Sequence, residues 1–486
     1  MSVRIIRLPT LLLILAGTIA IYGQGLASRA RSRPLPPRAE WTVMIFMDGD
    51  NNLEEDSLID FMEIARVGST DRVNVVVQLD RIGKYVTRDD ERYPFWTQTL
   101  RFYMTKGITP SPDNTPKEYD IGEANMGDGQ TLADFVSWAK TTFPARRYAL
   151  IISDHGQGWR GTVSPTDDVR ALVSGSGGDL LTQPWVGNMI AAFPFRTALG
   201  SPYRTISFDE TNKDKLYNRE VQDSLLKELK GEKLDLIGFD ACLMAMVETG
   251  YAMRGVAAVF VGSEELEPGT GWQYDNWLGT LTRNPTMDGP SLGKALVESY
   301  QKRYGTAEGD REPNLKTTLS LTDLKAMDAL ADSISALSKS LISKFGAEKE
   351  NIKAARDACA VYAPNALGDG RDYFYHVDLA RFCEQLLRHT QDREIRQRAS
   401  AVLGIVKAAV LDNYAGTARQ GVYGSNGLAI YFPPSGSAYK DDWLSERGYD
   451  NSRTLASGEK APDFPVEFVE RHYWADFLHV YFKNFP

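Results

Sequence analysis

The chain predicts an α/β fold with a mostly parallel central sheet, followed by a mainly helical C-terminal part. Three observations lead there. Five short apolar runs, 42–47, 73–79, 148–152, 234–239 and 256–262, carry Val, Ile and Leu on consecutive positions. Strands covered on both faces read this way. Helix-period segments at 132–142 and 220–229 lie between the runs, which is the alternation of βαβ units. After about residue 286 the dominant period is helical.

Residues 1–23 read as a signal peptide. Arg4 and Arg7 form a basic start, 8–22 is apolar but broken by Pro9 and Gly17, and small residues follow at Gly23 and Ala27. The stretch is short for a membrane span of ~20 residues; an uncleaved N-terminal membrane anchor is the alternative. No cysteine follows closely, which excludes a lipid-modified terminus. Residues 24–40 read as a basic flexible leader. The sheet-forming domain covers 41–285, with an irregular loop at 160–205 whose Ser/Gly run, 174–178, is open to proteolysis.

Residues 286–486 form the helical part. Leu324, Met327, Leu330, Ile334, Leu337 and Leu341 step by three or four and make one apolar stripe, with Thr322 and Asp323 as N-cap residues. A second long helix is expected over 394–411. The aromatic segment 464–485 is expected to dock as a final helix. Of three cysteines, Cys359 and Cys383 lie in helical-looking segments, where they either pair or stay buried as thiols.

A chain of 486 residues, 43% hydrophobic and 24% charged, is ordinary for a globular protein. A net charge of −9 argues against a nucleic-acid partner. There is no His-Glu-x-x-His, no Gly-x-Ser-x-Gly and no P-loop, so zinc-protease, serine-hydrolase and NTPase chemistry lack support.

Two strand ends carry reactive groups. The run 148–152 leads to Asp154-His155-Gly156-Gln157-Gly158-Trp159, and 234–239 leads to Asp240-Ala241-Cys242. A thiolate attacks a carbonyl, and a neighbouring imidazole stabilises it and then protonates the leaving amine. Gly156 is expected to let substrate approach the backbone, and the amides of Gly156 and Cys242 are candidates for an oxyanion hole. Residue type alone leaves a second reading open, in which Cys242 is a small core residue and His155 a packing residue. Asp240 lies two residues before the thiol, on the same side of an extended segment. Asp48, Asp50 and Asn52 alternate like the start of a calcium loop, but Leu53 stands where that loop needs glycine. They read as a turn near the site that supports His155.

Several blocks resemble the clostripain family of C11 cysteine peptidases. They are 41–54, then 124–159 with Asp154-His155-Gly-Gln-Gly-Trp159, then Asp240-Ala-Cys242-Leu-Met with Glu248, then Ser263-Glu-Glu265 with Pro268-Gly-Thr-Gly-Trp272, and 427–433. The resemblance implies a caspase-like α/β/α sandwich and a Cys242/His155 dyad. It implies Asp240 as the reader of a basic P1 residue, Arg above Lys, because a carboxylate pairs a guanidinium in two places. Trp272 is a candidate wall of the substrate cleft. The resemblance also implies a zymogen cut between the His and Cys segments after a basic residue. Arg170–Ala171 is the favoured bond, with Arg160, Arg196 and Arg204 as alternatives. The His-to-Cys separation is longer than the family's usual, which bears on that bond.

No cofactor is required for this chemistry; calcium, for stability or activation, is what the resemblance adds, with no site assigned. The expected partners are protein or peptide substrates. The expected state is a monomer or processed two-chain form, exported to the envelope or beyond and without stable membrane association after signal removal. Two alternatives remain: a hydrolase of the same fold with another P1 preference, and an inactive caspase-like scaffold.

Overall fold

The computed structural model describes residues 38–86, 88, 91–156, 206–305, 316–363, 375–421, 424–439, 449 and 466–486. The signal segment 1–23, most of the leader, and Arg170–Ala171 with its alternatives lie outside the described residues.

The central sheet is built first from β1 (Ala39–Gly49), β2 (Val73–Arg81), β4 (Ala145–Ser153), β7 (Leu234–Asp240) and β8 (Ala257–Gly262). These five strands contain the five predicted apolar runs, apart from Val256 at the edge of β8. They lie parallel, in the order β8-β7-β4-β1-β2. Three antiparallel strands complete an eight-stranded sheet. β3 (Leu100–Tyr103) pairs with β2, β9 (Thr318–Asp323) with β8, and β11 (Val410–Ala415) with β9. Two small antiparallel pairs stand apart, β5 (Ile206–Asp209) with β6 (Asp214–Leu216), and β10 (His376–Asp378) with β12 (Ala429–Tyr431).

Alternate residues of the strands feed two separate cores. Val43, Ile45, Met47, Val75, Val77, Ile151 and Leu236 face one side, covered by α1 (Glu54–Val67), α5 (Tyr274–Arg283) and α6 (Gly289–Tyr304). Met44, Phe46, Leu150, Ile152, Ile237 and Phe239 face the other, covered by α2 (Gly129–Thr142), α3 (Asn218–Leu229) and α4 (Val247–Met253). Apolar side chains on every position of a strand are stable only when both faces are dry, so the runs and the two helical layers have one cause.

The C-terminal helices extend the second core. α7 (Met327–Asp357) packs on α8 (Leu379–His389), α9 (Arg393–Ala409) and α11 (Trp474–Asn484). The predicted stripe is its buried face, and Asp323 caps the short 3₁₀ turn before it by accepting from Lys325 N–H. Thr322 belongs to β9 instead. The helix expected to reach residue 411 stops at Ala409, because Val410 and Leu411 are drawn into β11. The aromatic tail is two helices, α10 (Glu467–Arg471) and α11, with His472 extended between them. Cys359 and Cys383 are buried free thiols. Among the described residues no helix is long and apolar enough to cross a membrane.

Candidate active site

Parallel pairing of β4 with β7 brings Ser153 opposite Asp240. His155 and Cys242 therefore stand at equal distances, two residues, beyond a matched pair. The chains stay together past the strand ends: Asp154 N–H donates to the Asp240 carbonyl at 3.3 Å. A Cβ on Gly156 would lie 2.5 Å from the Cys242 carbonyl oxygen and 2.9 Å from its nitrogen. The glycine is thus needed where the histidine loop touches the cysteine backbone. Besides the substrate approach expected of it, this glycine has a structural reason in the Cys242 backbone.

The backbone turns sharply after the thiol. Leu243 has φ of 61°, a left-handed conformation that a branched side chain adopts at a cost. The Glu265 carbonyl, accepting from Leu243 N–H at 3.0 Å, holds it there. Glu267 N–H points at Cys242 Sγ, 3.2 Å away. A backbone donor at that distance favours sulfur carrying negative charge. The thiol is 1% exposed and the imidazole 3%.

His155 Nε2 lies 2.9 Å from Asn52 Oδ1. Because Oδ1 only accepts, Nε2 carries the proton in the neutral ring and Nδ1 is the basic nitrogen. Next in the chain, Asn51 Nδ2 donates to Asp154 Oδ1 at 2.8 Å and to the Phe208 carbonyl at 2.9 Å. Phe208 N–H donates to Asp154 Oδ2. The turn after β1 thus braces both residues that precede Gly156, which is the supporting position the sequence suggested for it.

Asp240 is fully buried, and its Oδ2 accepts from Tyr274 O–H at 2.8 Å and Trp272 N–H at 3.3 Å. The Trp272 ring is itself buried, laid on Gly238, where a Cβ would come within 2.8 Å of it. Its indole N–H has no hydrogen-bond partner. Near Asp240 and Glu267, Tyr300 and Tyr304 are held protonated far above the usual phenol range, by burial first and with those two carboxylates adding to it. Asp240, Glu267 and three tyrosines therefore form one buried group, joined to Cys242 through Glu267 N–H. Glu267 was missed in the sequence; nothing in its spacing marks it, because a turn returns it to the thiol.

A second polar group lies at the ends of β1 and β2. Carboxylate oxygens of Asp50, Asp80, Glu123 and Asp209 all lie within 4.8 Å of one another. The three aspartates are fully buried. Burial raises Asp80 well above the usual carboxylate range and Asp50 above it, and the neighbouring acids push the same way; Glu123 is raised to about 7. Of these four only Asp50 was singled out in the sequence. Asp80 had a signal, an acid closing an apolar run as Asp154 and Asp240 do.

A model of the clostripain family of C11 peptidases matches residues 45–185 and 197–477, a span that includes both His155 and Cys242. Clostripain of Hathewaya histolytica is 24% identical over 451 residues, covering 84% of this chain and 77% of that protein. Among solved structures, a secreted C11 cysteine protease from Bacteroides thetaiotaomicron, bound to an irreversible peptide inhibitor, aligns at 17% identity and a TM-score of 0.49 over 81% of this chain and 92% of its own. An inactive zymogen C11 protease from Parabacteroides distasonis aligns at 19% and 0.47, over 82% and 93%.

Proposed function

The chain belongs to the clostripain family of cysteine peptidases, and from that premise we propose that it is an exported endopeptidase that cuts after Arg, and less readily after Lys. The observation that carries the reading is the matched placement of His155 and Cys242 on adjacent parallel strand ends, with Gly156 against the Cys242 backbone. Cys242 Sγ, as thiolate, attacks the scissile carbonyl carbon. The backbone amides of Gly156 and Cys242 hold the resulting oxyanion. Imidazolium His155 gives its Nδ1 proton to the leaving amine, and the C–N bond breaks to leave a thioester. His155 then takes a proton from water, whose oxygen attacks the thioester and releases the new carboxyl end and the thiol.

Specificity is assigned to Asp240, with Trp272 shaping the pocket. A second reading has an observation in its favour: Asp240 Oδ2 already accepts two hydrogen bonds, so Glu267 could be the carboxylate that meets P1. Asp240→Asn and Glu267→Gln separate the two, since only the reader's variant loses Arg over neutral P1. The chemistry needs no cofactor. Calcium, if bound, has its best ligand set in Asp50, Asp80, Glu123 and Asp209. Self-cleavage at Arg170–Ala171, or at Arg160, Arg196 or Arg204, and a monomeric or two-chain product complete the proposal.

The test compares the purified chain with Cys242→Ala on Arg, Lys, Asn and Asp fluorogenic peptides and by intact mass. Arg cleavage by the parent alone, with a new N-terminus after a basic residue, is expected. A folded, reduced, calcium-supplied parent that cuts no peptide would overturn the reading in favour of an inactive scaffold. Cleavage after a non-basic residue would overturn the specificity alone.

A further inference from the structure

The turn after β8, residues 263–268, carries the N–H aimed at Cys242 Sγ. It pairs first with the backbone that follows the thiol. The Glu265 carbonyl accepts from Leu243 N–H at 3.0 Å, and the Ser263 carbonyl from Ala245 N–H at 2.8 Å. Its other supports come from much later in the chain. Thr318 Oγ1, on β9, accepts from Glu264 N–H at 3.0 Å and Glu265 N–H at 3.2 Å. Glu264 Oε2 accepts from Gly427 N–H at 2.9 Å.

Glu265 adds a charge to these contacts. Its side chain and that of Arg419, on the 3₁₀ turn Thr417–Arg419 after β11, are each 2% exposed and form an ion pair. The same carboxylate accepts from Leu266 N–H at 2.8 Å and from Ala363 N–H at 2.9 Å. Burial pushes this carboxyl up, while the Arg419 guanidinium, those N–H donors and Lys316 oppose the rise. Ala363 has φ of 48° and Leu243 of 61°. One residue therefore holds two left-handed backbone positions, Leu243 by its carbonyl and Ala363 by its carboxylate. A buried ion pair stabilises little beyond apolar side chains of the same shape, because desolvating both charges offsets their attraction. Stability alone does not account for it.

We propose that Glu265 and Arg419 are positioning residues, whose buried pair locks the 263–268 turn so that Glu267 N–H stays on Cys242 Sγ and favours the thiolate. The link is two residues long, from the Glu265 carboxylate to the Glu267 amide. The pair acts through that amide and not by its own field, since its two charges offset each other. The assignment rests on the reading of Cys242 as nucleophile. It gives the C-terminal part, which supplies Arg419 and Ala363, a share in the chemistry as well as in the packing.

The test is the pH dependence of Cys242 alkylation by iodoacetamide in the full chain, followed at the Cys242 peptide by mass spectrometry, with kcat and KM on the Arg peptide alongside. Cys359 and Cys383 do not compete, because both are buried and burial pushes their thiols up, Cys359 to about 12. Arg419→Met should move the alkylation midpoint up by about one pH unit, near the value of a hydrogen bond to a charged group. It should lower kcat about tenfold with KM little changed. Arg419→Lys keeps the charge without the planar fork and should shift the midpoint about half as far. Glu265→Gln with Arg419→Met removes both charges together and keeps an acceptor for Ala363 N–H. That double variant should hold Tm near the parent's and still raise the midpoint, which separates position from charge and from folding. A folded double variant with the parent's midpoint and kcat overturns the assignment. If it does not fold, a parental midpoint in Arg419→Lys does the same. A parent whose Cys242 alkylates like an ordinary thiol, at about pH 8.5, with no change in His155→Ala, would instead overturn the nucleophile reading and the pair's role with it.

Discussion

Around His155 and Cys242 the strand-end acids Asp154 and Asp240 are held by N–H and O–H donors. At the ends of β1 and β2, in the same edge of the same sheet, Asp50 and Asp80 each keep a buried oxygen that accepts nothing. Both places bury carboxylates, and the difference lies in what compensates them. On the thiol side the protein's own donors hold both oxygens of Asp154 and Oδ2 of Asp240, so the geometry of those two strand ends is built in with the fold. The acidic side is completed only by protons or a cation, so its order depends on solution conditions. The Asn51–Asn52 turn joins the two, which makes the better-satisfied site depend on the less satisfied one.

The largest effects should come from the thiol side. His155→Ala is expected to lower kcat/KM on Arg peptides by about a thousandfold or more, with labelling by an Arg chloromethylketone lost in step. Gly156→Ala places a methyl within 2.5 Å of the Cys242 carbonyl. The two strand ends must part, and displacements near 1 Å at a reacting pair cost about a hundredfold. Kinetics and Tm check it; near-parental activity would mean that the contact between the two loops does not set the dyad. Asn52→Ala is expected to lower kcat by roughly tenfold with KM little changed, and to move the acid limb of the pH–rate profile. An unchanged profile would break the proposed bridge between the two sides.

The sequence made much of this visible, and the rest was hidden for physical reasons. The five parallel strands are continuous apolar runs because both faces are covered, and that pattern needs no neighbour to interpret it. β3, β9 and β11 are short edge additions with alternating or mixed residues, such as Thr318-Leu-Ser-Leu-Thr-Asp323, which a helix-rich stretch conceals. His155 and Cys242 were legible because each follows a strand, and strand ends are where open α/β sheets gather their chemistry. Glu267, Tyr300 and the Asp80–Glu123–Asp209 set were not legible, since segments 25 or more residues apart converge there without any local spacing. Asp50 was read as part of a turn, and only the fold places its carboxylate with three others.

The smallest expected effect comes from a buried acid that belongs to neither side and shows what the sheet does without a cation. Glu248, on α4, is fully buried and accepts from Tyr431 N–H at 3.1 Å and Tyr449 O–H at 2.8 Å. Burial raises its carboxyl to about 7, with those hydrogen bonds opposing the rise. The folded state thus holds a proton that the unfolded chain releases near 4.5. Its favourable contribution is full below the unfolded value and is lost as pH rises through about 7. The loss amounts to roughly 3 kcal/mol in full. Glu248→Gln keeps an accepting oxygen and cannot ionise, so it should lose stability relative to the parent at pH 4 and recover on that scale by pH 8. Chemical denaturation at both pH values, with calcium held saturating so that the acidic cluster does not contribute, measures the difference. A gap between parent and variant that stays constant with pH would show that Glu248 is ionised in the fold, and that burial beside two donors is enough to hold a carboxylate charged here. Asp50 and Asp80, with fewer donors each, would then be the better measure of what an added cation supplies.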